Sequence, residues 1–317
     1  MMGLVSKPGL FRLILALAVV VSHVTGYEIG RLAVLMFFFL SGFWVTELWR
    51  KRFAPGRPLA FYGSRAFRIY PLYIICAVVA AVMTGQTMGL ANWSLLGVAS
   101  TGHDPLSVSW SLDVEMQFYL LVPLLVWMLA KPWKASQALL LAAVTLGGWV
   151  AFWSLGAVTV AQYLPVFALG VLTSLYDWRP SARAAHLSLA AFGLFTVAAW
   201  VLPMTRTFLL KDVADPFDRD IFAALWMLPL VPYIARSLRI RSDSLDRHIG
   251  NWSYPIYLVH APIIAYMRET MGSGLPVKVL AVTVALAVSA AVYLLIDRRV
   301  EAWRARVFEP KATPQTA

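Results

Sequence analysis

The chain has 317 residues, of which 60% are hydrophobic and only 14% charged, and its mean hydropathy is positive. A water-soluble domain of this length cannot bury so large an apolar fraction, so the composition excludes an ordinary soluble protein. The net charge of +11 would also suit nucleic-acid binding, but the basic residues stand in short segments between apolar runs. We therefore predict membrane lipids as partners and no nucleic acid.

Ten apolar runs follow one another along the chain, each long enough to cross about 30 Å of hydrocarbon as a helix. Lys7, Arg12 and the run after them are similar to a signal peptide, but no small-residue cleavage site follows, so this run is the first predicted membrane helix. The fold class predicted is all-α, a polytopic membrane bundle of about ten transmembrane helices, with one domain over 1–308 and a disordered cytoplasmic tail over 309–317. The runs cover 9–25, 32–49, 70–87, 112–130, 136–156, 160–176, 185–203, 218–236, 252–269 and 277–296.

The positions of lysine and arginine predict the orientation, because positively charged loops tend to stay in the cytoplasm. Ten helices with both termini inside (N-in/C-in) place most basic residues on the cytoplasmic side, and the loop 85–110 on the other side contains none. The basic residues left outside are then Arg31, Arg206, Lys211, Arg219, Arg268 and Lys278.

Ionisable residues inside apolar runs are costly in lipid and are therefore candidates for function. Arg12 and His23 are eleven residues apart, which places both on one face of a helix, about 16 Å apart along its axis. The structural alternative is that the Arg12 side chain reaches the lipid headgroups and that His23 caps the end of the helix.

Residues 110–123, WSLDVEMQFYLLVP, contain the second candidate, Glu115. Ser111 and Tyr119 stand at i−4 and i+4 on its face, whereas Asp113 is expected to point toward the outer interface. Since the first helix runs outward and the fourth inward, we predict that Glu115 lies near His23 and orients it as a base. A purely structural hydrogen bond between helices is the alternative for Glu115.

Three further patterns are weaker. Arg65 and Arg68 at i, i+3 suit a phosphate-rich ligand, although lipid phosphate is the commoner partner of such arginines. Ser41 and Gly42 form a small-residue notch that allows close helix packing or accepts an acyl chain. Tyr257 and His260 share one helix face. They belong either to a functional site or to a set of structural hydrogen bonds. The single cysteine, Cys76, is expected only to pack, and no metal site is predicted.

Taken in order, these motifs resemble the acyltransferase-3 family of integral membrane O-acyltransferases. The resemblance covers nearly the whole chain, and Glu301 is similar to a terminal acidic residue of the family. The matching pieces are Arg12 with His23, FFFLSGF at 37–43, RAFR at 65–68, WSLDVEMQFYLLVP at 110–123 and SYPIYLVH at 253–260.

The resemblance implies transfer of an acyl group, often acetyl, from cytoplasmic acyl-CoA to a hydroxyl of a carbohydrate or lipid-linked sugar acceptor, in a bacterial inner membrane. His23 would deprotonate the acceptor or accept the acyl group, and Glu115 would orient it. The implied acyl-CoA site is Arg12, Arg65, Arg68 and Ser41. The implied acceptor site is Trp110, Ser111, Tyr119, Tyr257 and His260.

Two other classes of function remain open from the sequence alone. A proton-coupled transporter or flippase would use His23 and Glu115 as a relay, although the internal symmetry common in transporters is not visible. A noncatalytic subunit would need the buried charges only for structure. The identity of the acceptor and the length of the acyl chain are not readable from the sequence.

Overall fold

The structure is a computed structural model that describes residues 5–54, 56–132, 134–213 and 215–308. Regular structure in these ranges is entirely helical, which confirms the all-α prediction; the predicted tail 309–317 lies outside them. The helices are α1 (Pro8–Val24), α2 (Ile29–Leu48), α3 (Pro58–Thr84), α4 (Leu90–Ser94), α5 (Val98–Thr101), α6 (Ser109–Leu129), α7 (Ala135–Leu155), α8 (Val160–Leu175), α9 (Ala182–Val201), α10 (Pro203–Leu209), α11 (Pro216–Met227), α12 (Val231–Ser237), α13 (Ser244–Met271), α14 (Leu275–Val292) and α15 (Arg298–Phe308).

Six helical stretches in the described part of the chain are long and apolar enough to cross a membrane. They make the protein a multi-pass membrane protein, while α1 and α8, with 17 and 16 residues, are apolar but shorter. The six are Ile29–Phe53, Pro58–Thr84, Ser109–Leu129, Ala135–Leu155, Ala182–Val201 and Leu275–Phe308; two of them include a π-helical turn, at Trp49–Phe53 and Tyr293–Asp297.

Three predicted runs differ clearly from the helices that form. The run 252–269 is the later part of α13, which begins eight residues earlier. The run 218–236 is divided into α11, a 3₁₀ turn at Leu228–Leu230 and α12, because Pro229 and Pro232 lack the N–H that a continuous helix needs. The run 70–87 is the second half of α3, which begins twelve residues earlier. Pro58 fits the first turn of α3, and Gly85 ends it in a left-handed conformation at φ +66°.

Close helix crossings position the centre of the molecule. Gly42 of α2 meets Gly170 of α8, where a Cβ on Gly42 would overlap the backbone of Phe167. Glu47 accepts a hydrogen bond from Ser174, 2.7 Å away, so higher numbers meet higher numbers and the two helices run parallel. Beside this crossing, the rings of Phe118 and Phe167 stack with centroids 4.1 Å apart.

A second parallel pair, α1 with α13, holds the functional candidates of the first helix in place. Gly9 N and Leu10 N donate to the carboxylate of Asp246 at 3.0 and 2.9 Å, which satisfies two free N–H groups of the first turn of α1. Gly250 packs against Arg12, and farther along the pair His23 packs against His260. Residues at the two ends of α1 are therefore fixed by α13.

Candidate active site

A cavity of about 410 Å³, here called the arginine cavity, lies between α1, α2, α3, α6 and α13. Eight of the predicted site residues line it, and Tyr257 is one of them. It thus collects side chains that are far apart in the sequence: Arg12, Ser41, Arg65, Arg68, Ser111, Glu115 and Tyr119.

Arg12 and Arg65 of this cavity lie over aromatic rings. The Arg12 guanidinium lies 4.9 Å from the Trp44 ring centre, and the Arg65 guanidinium lies 5.9 Å from the Tyr119 ring centre. Position 250 favours glycine, because an added Cβ would lie 2.7 Å from the backbone Cα of Gly9 and would also overlap the Arg12 guanidinium. The Nε atoms of Arg12 and Arg65 are buried without a hydrogen-bond partner in the described part of the chain. Such atoms leave donors for an anionic ligand.

Arg68 has carboxylates beside it. Its Nη1 lies 3.2 Å from Asp297 Oδ1 and 3.7 Å from Glu301 Oε2, and its guanidinium covers the Tyr254 ring at 4.9 Å. Glu301 also accepts a hydrogen bond from Arg304. The arginine pair of the sequence motif is therefore unequal, since much of the charge of Arg68 is compensated.

Glu115 is bound within the arginine cavity. Its Oε1 accepts hydrogen bonds from Ser41 Oγ and, at 2.6 Å, from Tyr119 Oη, so the predicted i+4 contact is present. No hydrogen bond joins Glu115 to His23 among the residues described. His23, the expected base, and Glu115, its expected orienting carboxylate, thus lie in different surroundings.

Asp113 corrects the sequence analysis. Its side chain is fully buried and accepts hydrogen bonds from Ala99 N and Gln117 Nε2, both at 2.9 Å. The expectation that it points to the outer interface was wrong because the short helix α5 folds back over the start of α6 and covers it. Sequence periodicity alone does not reveal such a covering loop.

His23 lines a second cavity of about 210 Å³, here called the His23 cavity, which also contains Trp110. The His23 and His260 rings meet edge to face, with centroids 4.9 Å apart. His260 is fully buried; its Nδ1 lies 2.9 Å from Ile256 O and therefore carries the proton of the neutral ring, which leaves Nε2 as an unpartnered acceptor. Thus His260, rather than Glu115, is the predicted site residue that packs against His23.

Basic side chains surround the His23 cavity. Arg31 pairs with Asp220 at 2.8 Å and covers the Trp110 ring at 4.4 Å. Lys211 Nζ donates to the carbonyl of Ser22, next to His23, and partial burial lowers the pKa of this lysine. Arg219 also lines the cavity. The sequence analysis did not select these residues because they come from the ends of different helices and no local motif joins them.

The two cavities share one wall, formed by Val34 and Tyr257. The Tyr257 hydroxyl lies 2.6 Å from Ser111 Oγ and donates to Val108 O at 3.1 Å, which fixes the ring in this wall. The arginines of the arginine cavity are thus separated from His23 by the side chains of this shared wall.

The comparison with protein families decides the class of the protein. A model of the acyltransferase-3 family, described as an acyltransferase domain, matches residues 7–296. The chain belongs to the acyltransferase-3 family. As a member of this family the protein is a membrane O-acyltransferase, and the family suggests an acyl donor as its substrate.

Curated relatives of this acyltransferase-3 protein agree with that class. Nodulation protein 10 of Rhizobium leguminosarum bv. viciae is 28% identical over 72% of this chain and 70% of its own length. Acyltransferase MdmB of Streptomyces mycarofaciens is 29% identical over 80% of this chain and 72% of its own length. O-acetyltransferase OatA of Staphylococcus aureus is 24% identical over 98% of this chain but only 60% of its own length. No solved structure matches the chain.

Proposed function

We propose that this acyltransferase moves an acetyl group from acetyl-CoA, bound in the arginine cavity, to a hydroxyl of a carbohydrate or lipid-linked sugar in the His23 cavity. The single observation that carries the proposal is the shared wall of Val34 and Tyr257 between the two cavities. One side offers guanidinium groups for a phosphate-rich donor, and the other offers an imidazole for an acceptor. The relative named as an O-acetyltransferase supports acetyl as the group.

Arg12 and Arg65 are the proposed phosphate ligands of the donor. Both keep a buried Nε atom without a partner, and a planar guanidinium binds phosphate through paired charge-assisted hydrogen bonds. Arg68 contributes mainly by position, because Asp297 and Glu301 compensate its charge. Ser41, Glu115 and Tyr119 form a hydrogen-bonded group on the same wall and hold the donor side in shape.

His23 is the proposed catalytic residue. In direct transfer its imidazole takes the proton of the acceptor hydroxyl while that oxygen attacks the thioester carbonyl; the carbon–sulfur bond breaks and the thiolate leaves to be protonated. In the two-step route the imidazole attacks the thioester carbonyl and the carbon–sulfur bond breaks, so the thiolate leaves. The acceptor hydroxyl then attacks the acyl-imidazole, the carbon–nitrogen bond breaks, and the released imidazole takes the hydroxyl proton. His260 acts as a positioning residue, since its buried ring limits how the His23 ring turns.

We also propose ten transmembrane passages, with both termini in the cytoplasm of a bacterium and the arginine cavity toward that side. Support comes from the distribution of basic residues and from the parallel pair α1 and α13, which must cross in the same direction. The donor would then enter from the cytoplasm, and the acceptor from the outer face of the inner membrane. The transporter alternative has less support, because no hydrogen bond joins its proposed relay residues among those described.

The test is acetyl-CoA cleavage by the purified full chain in nanodiscs, with a panel of sugar acceptors. We expect His23→Ala to lower kcat by about 10²–10⁴-fold, as loss of a general base does. We expect Arg65→Ala mainly to raise the KM for acetyl-CoA, because it removes ground-state binding.

Two matched variants control for nonspecific damage. His186→Ala and Arg183→Ala remove a histidine and an arginine of α9, outside both cavities, and should leave turnover unchanged. Equal activity of His23→Ala and His186→Ala would refute the role of His23. Binding of the donor that does not depend on Arg65 would refute the donor site.

A further inference from the structure

The His23 cavity carries more positive than negative charge. Arg31, Lys211 and Arg219 line it, opposed by Glu28 in the lining and by Asp220, which pairs with Arg31. Three cations and two carboxylates leave one positive charge in excess beside His23. The exposed carboxylates of the same segment do not line the cavity; they are Asp212, Asp215 and Asp218.

These cations differ in how far their own contacts satisfy them. Arg31 is held by Asp220 at 2.8 Å and by the Trp110 ring, so it is fixed and compensated. Lys211 donates hydrogen bonds to the backbone carbonyls of Ser22 and Thr25 at the end of α1. Arg219 is different, because its Nε is buried without a hydrogen-bond partner among the described residues.

A partly buried guanidinium without a bonded partner is unfavourable unless an anion joins it. Lys211, bound to the residue before His23, places a second cation close to the candidate catalytic ring. A neutral sugar would leave the excess positive charge of the cavity uncompensated, whereas a carboxylate or phosphate on the acceptor would accept hydrogen bonds from Arg219 and attract Lys211.

We infer that the His23 cavity selects acceptors that carry an anionic group, a carboxylate or a phosphate, near the hydroxyl to be acylated, with Arg219 as the residue that reads this charge. The inference rests on the proposed function, because it identifies the His23 cavity as the acceptor side. It goes further by assigning the chemical class of the acceptor and a specificity-determining residue that no sequence motif marks.

The test compares probes that share a glucose-type ring and carry either no charged group, a carboxylate or a phosphate. Binding of glucose, glucuronate and glucose 1-phosphate is measured by thermophoresis with the full chain in phosphatidylcholine nanodiscs, without acetyl-CoA. We expect the two anionic probes to bind about tenfold or more tightly than glucose, in line with a charge-assisted hydrogen bond. Arg219→Gln should remove this preference, and Arg219→Lys should keep part of it.

Arg206→Gln is the matched control, since Arg206 is exposed at the same end of the molecule, over the Trp200 ring, and lines neither cavity. Equal binding of all three probes, no measurable binding of the anionic ones, or equal effects of Arg219→Gln and Arg206→Gln would overturn the inference. A preference that phosphatidylglycerol in the nanodisc abolishes would also overturn it, because the cations would then bind lipid headgroups.

Turnover separates this inference from the proposed function. If acetyl-CoA is cleaved but the native chain accepts neutral and anionic sugars equally, the inference fails and the acyltransferase mechanism stands. If the anionic probes bind through Arg219 but His23→Ala leaves cleavage unchanged, the mechanism fails and the anion site stands.

Discussion

Single residues of the arginine cavity differ mainly in how their charge is compensated. Arg12 and Arg65 rest on aromatic rings and keep a buried Nε without a partner, whereas Arg68 lies against two carboxylates. In surroundings of low dielectric, removing one partner of a buried pair leaves the other charge uncompensated, which costs more than the pair contributes. Asp297 should therefore matter to stability as much as the arginine it holds.

Asp297→Ala is expected to lower the free energy of unfolding by up to about 3 kcal/mol, because it removes the nearer of the two carboxylates beside Arg68 and leaves only Glu301 to compensate its charge. Unfolding in mixed micelles measures the loss. Arg179→Ala, which removes an exposed partner of Asp177 and leaves Asp177 paired with Arg239, is the control and should hardly change the melting temperature. A double variant, Arg68→Met with Asp297→Leu, should be more stable than Asp297→Ala; if it is not, the pair does not explain the loss.

Sequence reasoning found the residues whose type is unusual for a membrane helix and missed their partners. His23, Glu115 and the arginine motif stand out because charge at depth is rare. Asp297 and Arg219 were missed because their meaning depends on which helices pack together. The expected contact of Glu115 with His23 assumed that two residues at similar depth in the membrane touch. Depth does not say where around the bundle each helix stands, so two such residues can face different neighbours.

At the scale of elements, two parallel helix pairs hold the molecule's centre, and both depend on glycine. At the crossing of α2 and α8, the Cβ of an alanine at position 42 would overlap the carbonyl of Phe167 and lie 3.2 Å from Gly170 Cα. Backbone atoms cannot turn away as a side chain can, so the two helices would have to move apart.

Gly42→Ala is expected to destabilise the protein by about 1–3 kcal/mol, the usual cost of overpacking. Because α2 carries Ser41 into the arginine cavity, donor binding should weaken as well. Gly193→Ala in α9 is the matched control: nothing lies within 4 Å of its Cβ, so better helix propensity should leave stability equal or slightly higher. A melting temperature equally lowered by both substitutions would contradict the close-packing argument.

Helix positions were predicted well where an apolar run is uninterrupted and less well where prolines or polar turns occur inside a helix. The runs 136–156 and 160–176 agree with α7 and α8 within a residue or two. The first half of α3 was missed because it is too polar to read as a membrane helix. Hydropathy measures what faces lipid, and this half of α3 packs instead against α15 and the arginine cavity.

At the scale of the whole molecule, the orientation in the membrane decides which of the two cavities lies toward the cytoplasm. Arg57 precedes the first turn of α3, and Thr101 ends α5, in the segment that follows the other end of α3. Positive charge near Arg57 and its absence near Thr101 predict that the first faces the cytoplasm and the second the outside.

Single cysteines test this orientation. Thr101→Cys should react with a membrane-impermeant maleimide in intact bacterial cells, and Arg57→Cys should react only after the cells are opened. The native Cys76 is buried and serves as the background control. The reverse pattern would invert the molecule and move the arginine cavity away from the cytoplasmic donor.

The shared wall of Val34 and Tyr257 also bears on how such a protein evolves. The arginine cavity and the His23 cavity meet only along this layer, and Lys211 and Arg219 line only the second cavity. Under the proposed function, mutations in the segment around α10 and α11 would change which acceptors bind and leave the residues of the arginine cavity unchanged. Such an arrangement lets one lineage diversify its products by changing a few codons at one end of the bundle.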